Sequence, residues 1–256
     1  PILLDKVREG VEVRILCDGM GGRFMPKKRW DQMRSAGIKV GVFFPPFLGW
    51  LNLRVNYRNH RKIVVVDGNT GFVGGFNIGR EYISRDPKFG YWRDTHLEIK
   101  GEAAISLQIR FALDWNYVTG ENLFKEIRYF GEEAEYARRR LNGQIHAVWP
   151  DPDHVNEMVC MQIITSGPDT REPHIRNNYL ELFHKAKHHI YIQTPYFIPD
   201  DAIFSSLKIA ALSGVDVRLM IPCKPDHPFV YWATCSYAGE LLDYGARVYV
   251  YENGFL

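Results

Sequence analysis

The chain has 256 residues, 46% hydrophobic and 14% aromatic, with a formal net charge of +2. That suffices for one large or two modest cores, and the charge balance gives no argument for nucleic acid as a partner. Four scattered cysteines (Cys17, Cys160, Cys223, Cys235) have no paired spacing and are expected as free thiols, no run approaches the ~20 apolar residues of a membrane-spanning helix, and no signal peptide is visible.

Pro1 stands where a Met would open a complete chain, in the middle of a helical pattern, so a piece of a longer protein is expected. A strand over 11–16, a helix over 27–36 and a strand over 39–44 follow. Residues 40–53 are unusually apolar, and Pro45, Pro46 and Gly49 break any helix there. They are expected as a strand and buried loop, or as an exposed lip with Phe47 and Trp50 as membrane-interface anchors. Arg54, Arg58 and Arg61 are expected either to attract an anionic headgroup or to form a solvated face.

The β-branched run Ile63-Val64-Val65-Val66 extends a strand over 61–66, Asp67-Gly68-Asn69-Thr70 is turn chemistry, and 71–74 returns. Strand alternation puts His60 and Lys62 on one face. A turn centred on Gly68-Asn69 sets Asn77 opposite His60, and one residue later opposite Lys62. Gly74 and Gly75 allow a ligand or a second backbone to approach closely. An imidazole, an ammonium and a carboxamide aimed at one anion suit phosphoryl transfer. An imidazole of pKa about 6.5 is largely neutral at pH 7 and can attack phosphorus. Lys62 and Asn77 can donate to the non-bridging oxygens, each such donor being worth about 3–4 kcal/mol of barrier. No carboxylate cluster or Cys/His set of metal-ligand spacing sits nearby, so a metal-free reaction without cofactor is expected.

Strand 95–99 and helix 103–116 come next, and the charged segment 123–142 is expected as a solvated linker or exposed helix. A boundary near Pro150-Asp151-Pro152 divides lobes 1–150 and 151–256. The second lobe carries strands 159–165, 189–193, 215–221 and 247–251 and helices 174–187, 201–212 and 231–242. This alternation implies an α/β fold. A faded repeat runs through it: Gly10-Val11-Glu12-Val13-Arg14 matches Gly214-Val215-Asp216-Val217-Arg218, and Gly37-Ile38-Lys39-Val40 matches Gly245-Ala246-Arg247-Val248. His184 and His188 stand one helical turn apart with no third ligand and are expected at a solvated helix end. No second His-x-Lys occurs.

His60, Lys62, Asp67, Gly74 and Asn77 reproduce the spacing of the phospholipase D superfamily signature, with Gly75 where Ser is usual. Phe44-Pro45-Pro46-Phe47, Asn56 to Lys62, Gly90-Tyr91-Trp92-Arg93-Asp94, Gln193 to Asp200 and Pro225 to Trp232 are similar to bacterial cardiolipin synthases, and the likeness covers almost the whole chain. The resemblance implies a two-lobed fold of mixed β-sheets flanked by helices, the second lobe ending before its own motif. It implies His60 as the nucleophile that takes up a phosphatidyl group, Lys62 and Asp67 as catalytic motif members, and Asn77 with Gly75 at the substrate. Asp67, at a turn, is expected to hydrogen-bond backbone, and Asp94 to orient His60. His227 is expected in a loop near the site. The implied partners are phosphatidylglycerol, an anionic bacterial membrane on its cytoplasmic side, and a second motif from a C-terminal remainder that supplies the general acid; nucleic acid is not expected. Without that remainder the chain is expected to turn over little. The alternatives are a hydrolytic phosphodiesterase acting on lipid or nucleic acid, and an inactive lipid-binding fragment.

Overall fold

Short apolar segments closed by glycine lay down most of the strands. The computed structural model describes residues 1–44, 58–130, 159, 161–167, 170–224 and 226–256. In chain order the elements are α1 (Ile2–Arg8), β1 (Arg14–Asp18), α2 (Lys27–Ser35), β2 (Lys39–Phe43), β3 (Ile63–Val66), β4 (Thr70–Gly74), β5 (Tyr91–Trp92), β6 (His96–Lys100) and α3 (Glu102–Thr119), then α4 (His174–Lys185), β7 (His189–Gln193), α5 (Asp201–Leu212), β8 (Asp216–Pro222), α6 (Pro228–Leu242), β9 (Arg247–Tyr251) and β10 (Gly254–Phe255). Several sheets flanked by helices make this the expected α/β fold. The chain divides into two units, residues 1–73 with 97–163, and residues 74–96 with 164–256.

In the first unit β1 and β2 pair in parallel from Arg14 opposite Lys39 to Asp18 opposite Phe43, and β3, β4 and β6 form a second sheet in that order. Helix α3 buries Ala104, Leu107, Ala112 and Trp115, and Leu123 and Phe130 close the core around Trp115. The helix lies tightly on β4: a Cβ at Gly71 would meet Leu107 Cδ1 at 2.7 Å. Glu121 ties these elements together, accepting from Arg14 and Lys39 at 2.8 Å each and from Trp115 Nε1 at 2.8 Å. The hydrogen bonds from Arg14 and then Lys39 pull its carboxyl down to about 2. A depressed folded-state pKa stabilises above the unfolded value near 4.5, and that stabilisation is lost as pH falls toward 2. The side chain is 35% exposed, so solvent screening trims the gain. Glu121→Gln should therefore lower the urea midpoint at pH 7, with the gap to the wild type closing between pH 4.5 and 2; a gap independent of pH would refute the assignment.

In the second unit β7, β8 and β9 form one parallel sheet in that order. Leu207, Val217, Leu219 and Leu241, all essentially solvent-free, form its core with Ile190, Phe197, Phe204 and Ile221. Asp200 caps α5, accepting from the Ala202 and Ile203 amides at 3.0 Å. Thr234, fully buried on α6, accepts from the Phe197 amide at 3.1 Å through its hydroxyl oxygen. The short strands β5 and β10 pair in parallel, Tyr91 with Gly254 and Trp92 with Phe255.

The repeat appears in the backbone of each unit. β1–α2–β2 and β8–α6–β9 are both strand–helix–strand crossovers with parallel pairing. Their glycines adopt matching left-handed conformations, Gly10 and Gly214 at φ 92 and 87°, Gly37 and Gly245 at 96 and 91°. The Val11, Ile38 and Val215 amides each reach back five residues, to the carbonyls of Lys6, Met33 and Ala210, which is the Schellman closure of a helix end.

Two expected strands differ. β1 begins at Arg14 rather than at residue 11, because Gly10 and the Val11 amide are spent closing α1. Residues 161–165 form no strand: among the described residues β7 pairs with β8 alone, Val159 is 82% exposed, and an apolar run without a ladder partner there stays irregular. The 150–152 boundary lies outside the described residues, as does most of the charged segment.

Candidate active site

The hairpin that carries the motif is centred on Gly68. β3 and β4 pair from Ile63 opposite Val73 to Val66 opposite Thr70, so neither register expected for Asn77 forms, and the ladder stops short of Lys62. Asp67 and Gly68 both take left-handed conformations, φ 53 and 74°, and a Cβ at Gly68 would sit 2.9 Å from the Tyr129 carbonyl oxygen. Asp is among the few side chains that tolerate this conformation. Asp67 is exposed, and what the structure shows of its role is the left-handed conformation that shapes the turn.

His60 is exposed and Lys62 half-buried. The Lys62 ammonium lies 2.8 Å from His60 Nδ1 and also donates to the His60 carbonyl oxygen at 2.8 Å. Since an ammonium only donates, Nδ1 is the acceptor and the neutral ring carries its proton on Nε2. Partial burial, then the charges of Lys62 and Arg58, hold the imidazole below its usual 6.5 against the opposing pull of Asp18. The lowered pKa favours the neutral ring at neutral pH, with the Lys62 ammonium 2.8 Å from it.

The arginines flanking His60 are engaged by carboxylates. Asp18, at the end of β1, accepts from Arg58 Nε and a terminal guanidinium nitrogen at 3.2 Å each, and from the Asn59 amide at 3.2 Å. Asp114, 5% exposed on α3, accepts from Asn59 Nδ2 at 3.2 Å, from Arg61 at 3.1 Å, and from Arg110. Arg58, 44% exposed, and Arg61 thus pair with Asp18 and Asp114 in the first unit. Sequence reasoning missed both carboxylates. The readable signal was Asp114 set among Ala112, Leu113 and Trp115, a charge on an apolar helix stretch that demands a partner.

Gly75, Asn77 and Asp94 belong to the second unit. A Cβ at Gly75 would meet the Asp94 carboxylate oxygens at 2.5 and 2.6 Å, so a Ser there would require the carboxylate to shift. A Cβ at Gly74 would lie 2.3 Å from His96 Nδ1 and 2.7 Å from the Thr95 carbonyl oxygen. Asn77 is exposed, its amide donating to the Tyr82 hydroxyl at 2.6 Å, and Tyr82 packs on Trp92 at 4.6 Å between ring centroids. In the same unit Arg93 donates to Gln193, and Tyr196 to Asp226. His227 stands at the N-terminus of α6, largely exposed, 3.9 Å from Asp226. His184 lies in the last turn of α4 and His188 beyond its end. Phe47, Trp50 and Arg54 lie outside the described residues.

Among the described residues no group of three or more His, Cys, Asp or Glu side chains is placed to hold a metal ion, and no helix is long and apolar enough to cross a membrane. The chain matches the family described as cardiolipin synthase, PLD-like domain, over residues 2–101 and 179–256. It is 48% identical over 259 residues to the major cardiolipin synthase ClsA of Bacillus subtilis strain 168, covering 99% of this chain and 49% of that protein. It is 51% identical over 252 residues to a cardiolipin synthase 2 of Staphylococcus epidermidis, covering 98% and 48%. The chain thus spans about half the length of the curated relatives it matches. Among solved structures, the phosphatidylserine synthase of Haemophilus influenzae shares the fold, with a TM-score of 0.53 at 14% identity over 99% of this chain and 70% of that one.

Proposed function

The chain belongs to the cardiolipin synthase, PLD-like domain family, and on that premise we propose that it works within an enzyme that joins two phosphatidylglycerol molecules into cardiolipin and releases glycerol. The observation that carries the reading is the His60–Lys62 pair, a neutral imidazole held 2.8 Å from an ammonium. In the first step a ring nitrogen of His60 bonds to phosphorus and the bond from phosphorus to the headgroup glycerol oxygen breaks. Lys62, by exchanging its bond to Nδ1 for one to a non-bridging oxygen, releases that lone pair and neutralises charge as it develops. In the second step a hydroxyl of another phosphatidylglycerol attacks the phosphohistidine, its proton passing to the group that protonated the departing glycerol, the N–P bond breaks, and His60 is regenerated.

Asn77 and Gly75 are proposed at the substrate and Asp94 as the group orienting His60, on the strength of the motif. His227 is proposed in a supporting loop and Asp67 in the hairpin turn. The acid that protonates the departing glycerol is proposed to come from a second motif beyond this sequence, and the site of action to be the cytoplasmic face of a bacterial membrane rich in anionic lipid.

The test is to give the full-length protein phosphatidylglycerol labelled in both glycerol and phosphate, in mixed micelles. Cardiolipin and free glycerol should appear in equal amounts. Phosphatidic acid in place of cardiolipin would overturn the synthase reading in favour of hydrolysis.

A further inference from the structure

Residues 58–62 precede β3 and take part in no strand pairing, so no sheet ladder fixes the main chain that presents His60. Asn59 supplies a replacement. Its amide donates to Asp18 at 3.2 Å, its side-chain nitrogen donates to Asp114 at 3.2 Å, and its side-chain oxygen accepts from the Arg61 amide at 3.0 Å. The last bond arches over His60, tying the residue before it to the residue after it. The two carboxylates are anchored in turn. Asp18 also accepts from the Met20 and Gly21 amides, at 3.1 and 2.8 Å, which fixes it at the end of β1. Asp114 is buried on α3 between Arg61 and Arg110. Bonds to ionised acceptors are the stronger kind, and a buried carboxylate has no solvent position to move to.

We propose that Asn59, clamped by Asp18 through its main chain and by Asp114 through its side chain, is the positioning residue that holds His60 in line for attack. The proposal rests on His60 being the nucleophile. Asn59 itself touches no reacting atom; it sets where the ring stands, and displacement of a reacting group by about 1 Å costs about 100-fold in rate.

The experiment measures kcat, KM and the melting midpoint of the full-length enzyme on phosphatidylglycerol micelles for the wild type, Asn59→Ala, Asp114→Ala, the double variant and His60→Ala. Asn59→Ala is expected to lower kcat about 10- to 100-fold while KM stays within about twofold and the midpoint barely moves. Because the two residues act as one device, the double variant should lose little more than the worse single variant. Wild-type kcat in Asn59→Ala, a loss seen in KM alone, or a loss that follows the unfolded fraction would overturn the proposal. Should Asn59→Ala fail to fold, Asn59→Gln keeps the amide but displaces it by one methylene and is read by the same criteria. A His60→Ala variant that keeps its activity would instead refute the nucleophile assignment.

Discussion

Replacing His60 with alanine should abolish cardiolipin and glycerol production together, a loss of about 10⁴-fold or more, because in the proposed reaction the N–P bond that links the two steps is made and broken at that ring. A variant that still released glycerol without forming cardiolipin would show that the first step has another nucleophile. The wild-type pH profile supplies the companion test. In the proposed reaction the reactive form is the neutral imidazole, so the rate should rise as pH climbs through the His60 pKa. Partial burial, Lys62 and Arg58 push that pKa down, and Asp18 restores only part of it. The rising limb of kcat/KM against pH therefore belongs below 6.5, and a limb at or above that value would contradict the electrostatics around the ring.

Gly254→Ala should be the most damaging of the backbone substitutions, costing about 3 kcal/mol. At φ 152° the residue occupies a region closed to side chains. A Cβ there would lie 2.4 Å from the carbonyl oxygens of Phe89 and Tyr91 and 2.8 Å from the Tyr91 nitrogen. All three are main-chain atoms, so no rotamer change relieves the clash and β10 must lift from β5. That breaks the hydrogen bonds from the Tyr91 amide to the Asn253 carbonyl and from the Arg93 amide to the Phe255 carbonyl, at 3.1 and 2.9 Å. It also uncovers Phe255, 3% exposed and 4.2 Å from Trp92 between ring centroids. A fall of roughly 6–12 °C in melting midpoint is expected. Gly239→Ala is the control: this glycine lies on α6 with nothing within 4 Å of an added Cβ, and the change should be neutral or slightly stabilising. Equal midpoints for the two variants would remove the argument.

What was legible in the amino-acid string follows a physical division. The helices and parallel strands of the second unit were readable to within a few residues because they are periodic or β-branched runs, several of them bounded by a glycine or a capping Asp, as at Asp200, Gly214 and Gly245. The motif spacing marked His60 and Lys62, whose contact the structure displays. The hairpin register was not legible, since Asp67 taking a left-handed conformation moves the turn centre, and turn geometry sets register. β5 and β10 escaped because two residues have no periodicity and their partners lie far apart in sequence. The clamp on Asn59 escaped for the same reason: Asp18, Asp114 and Asn59 come from three separate elements, and only the fold brings them together.

The pairing of Tyr91 with Gly254 has a bearing on how the protein is made. A ribosome releases residues 74–96 long before the strand they dock on. Until Phe255 emerges, Trp92 and Phe89 lack the ring they pack on, so a nascent chain carries an aromatic segment waiting for its partner through the synthesis of nearly everything in between. Loop closure over that distance puts the docking of residues 74–96 late in folding, while the β7–β8–β9 sheet closes within residues 189–251.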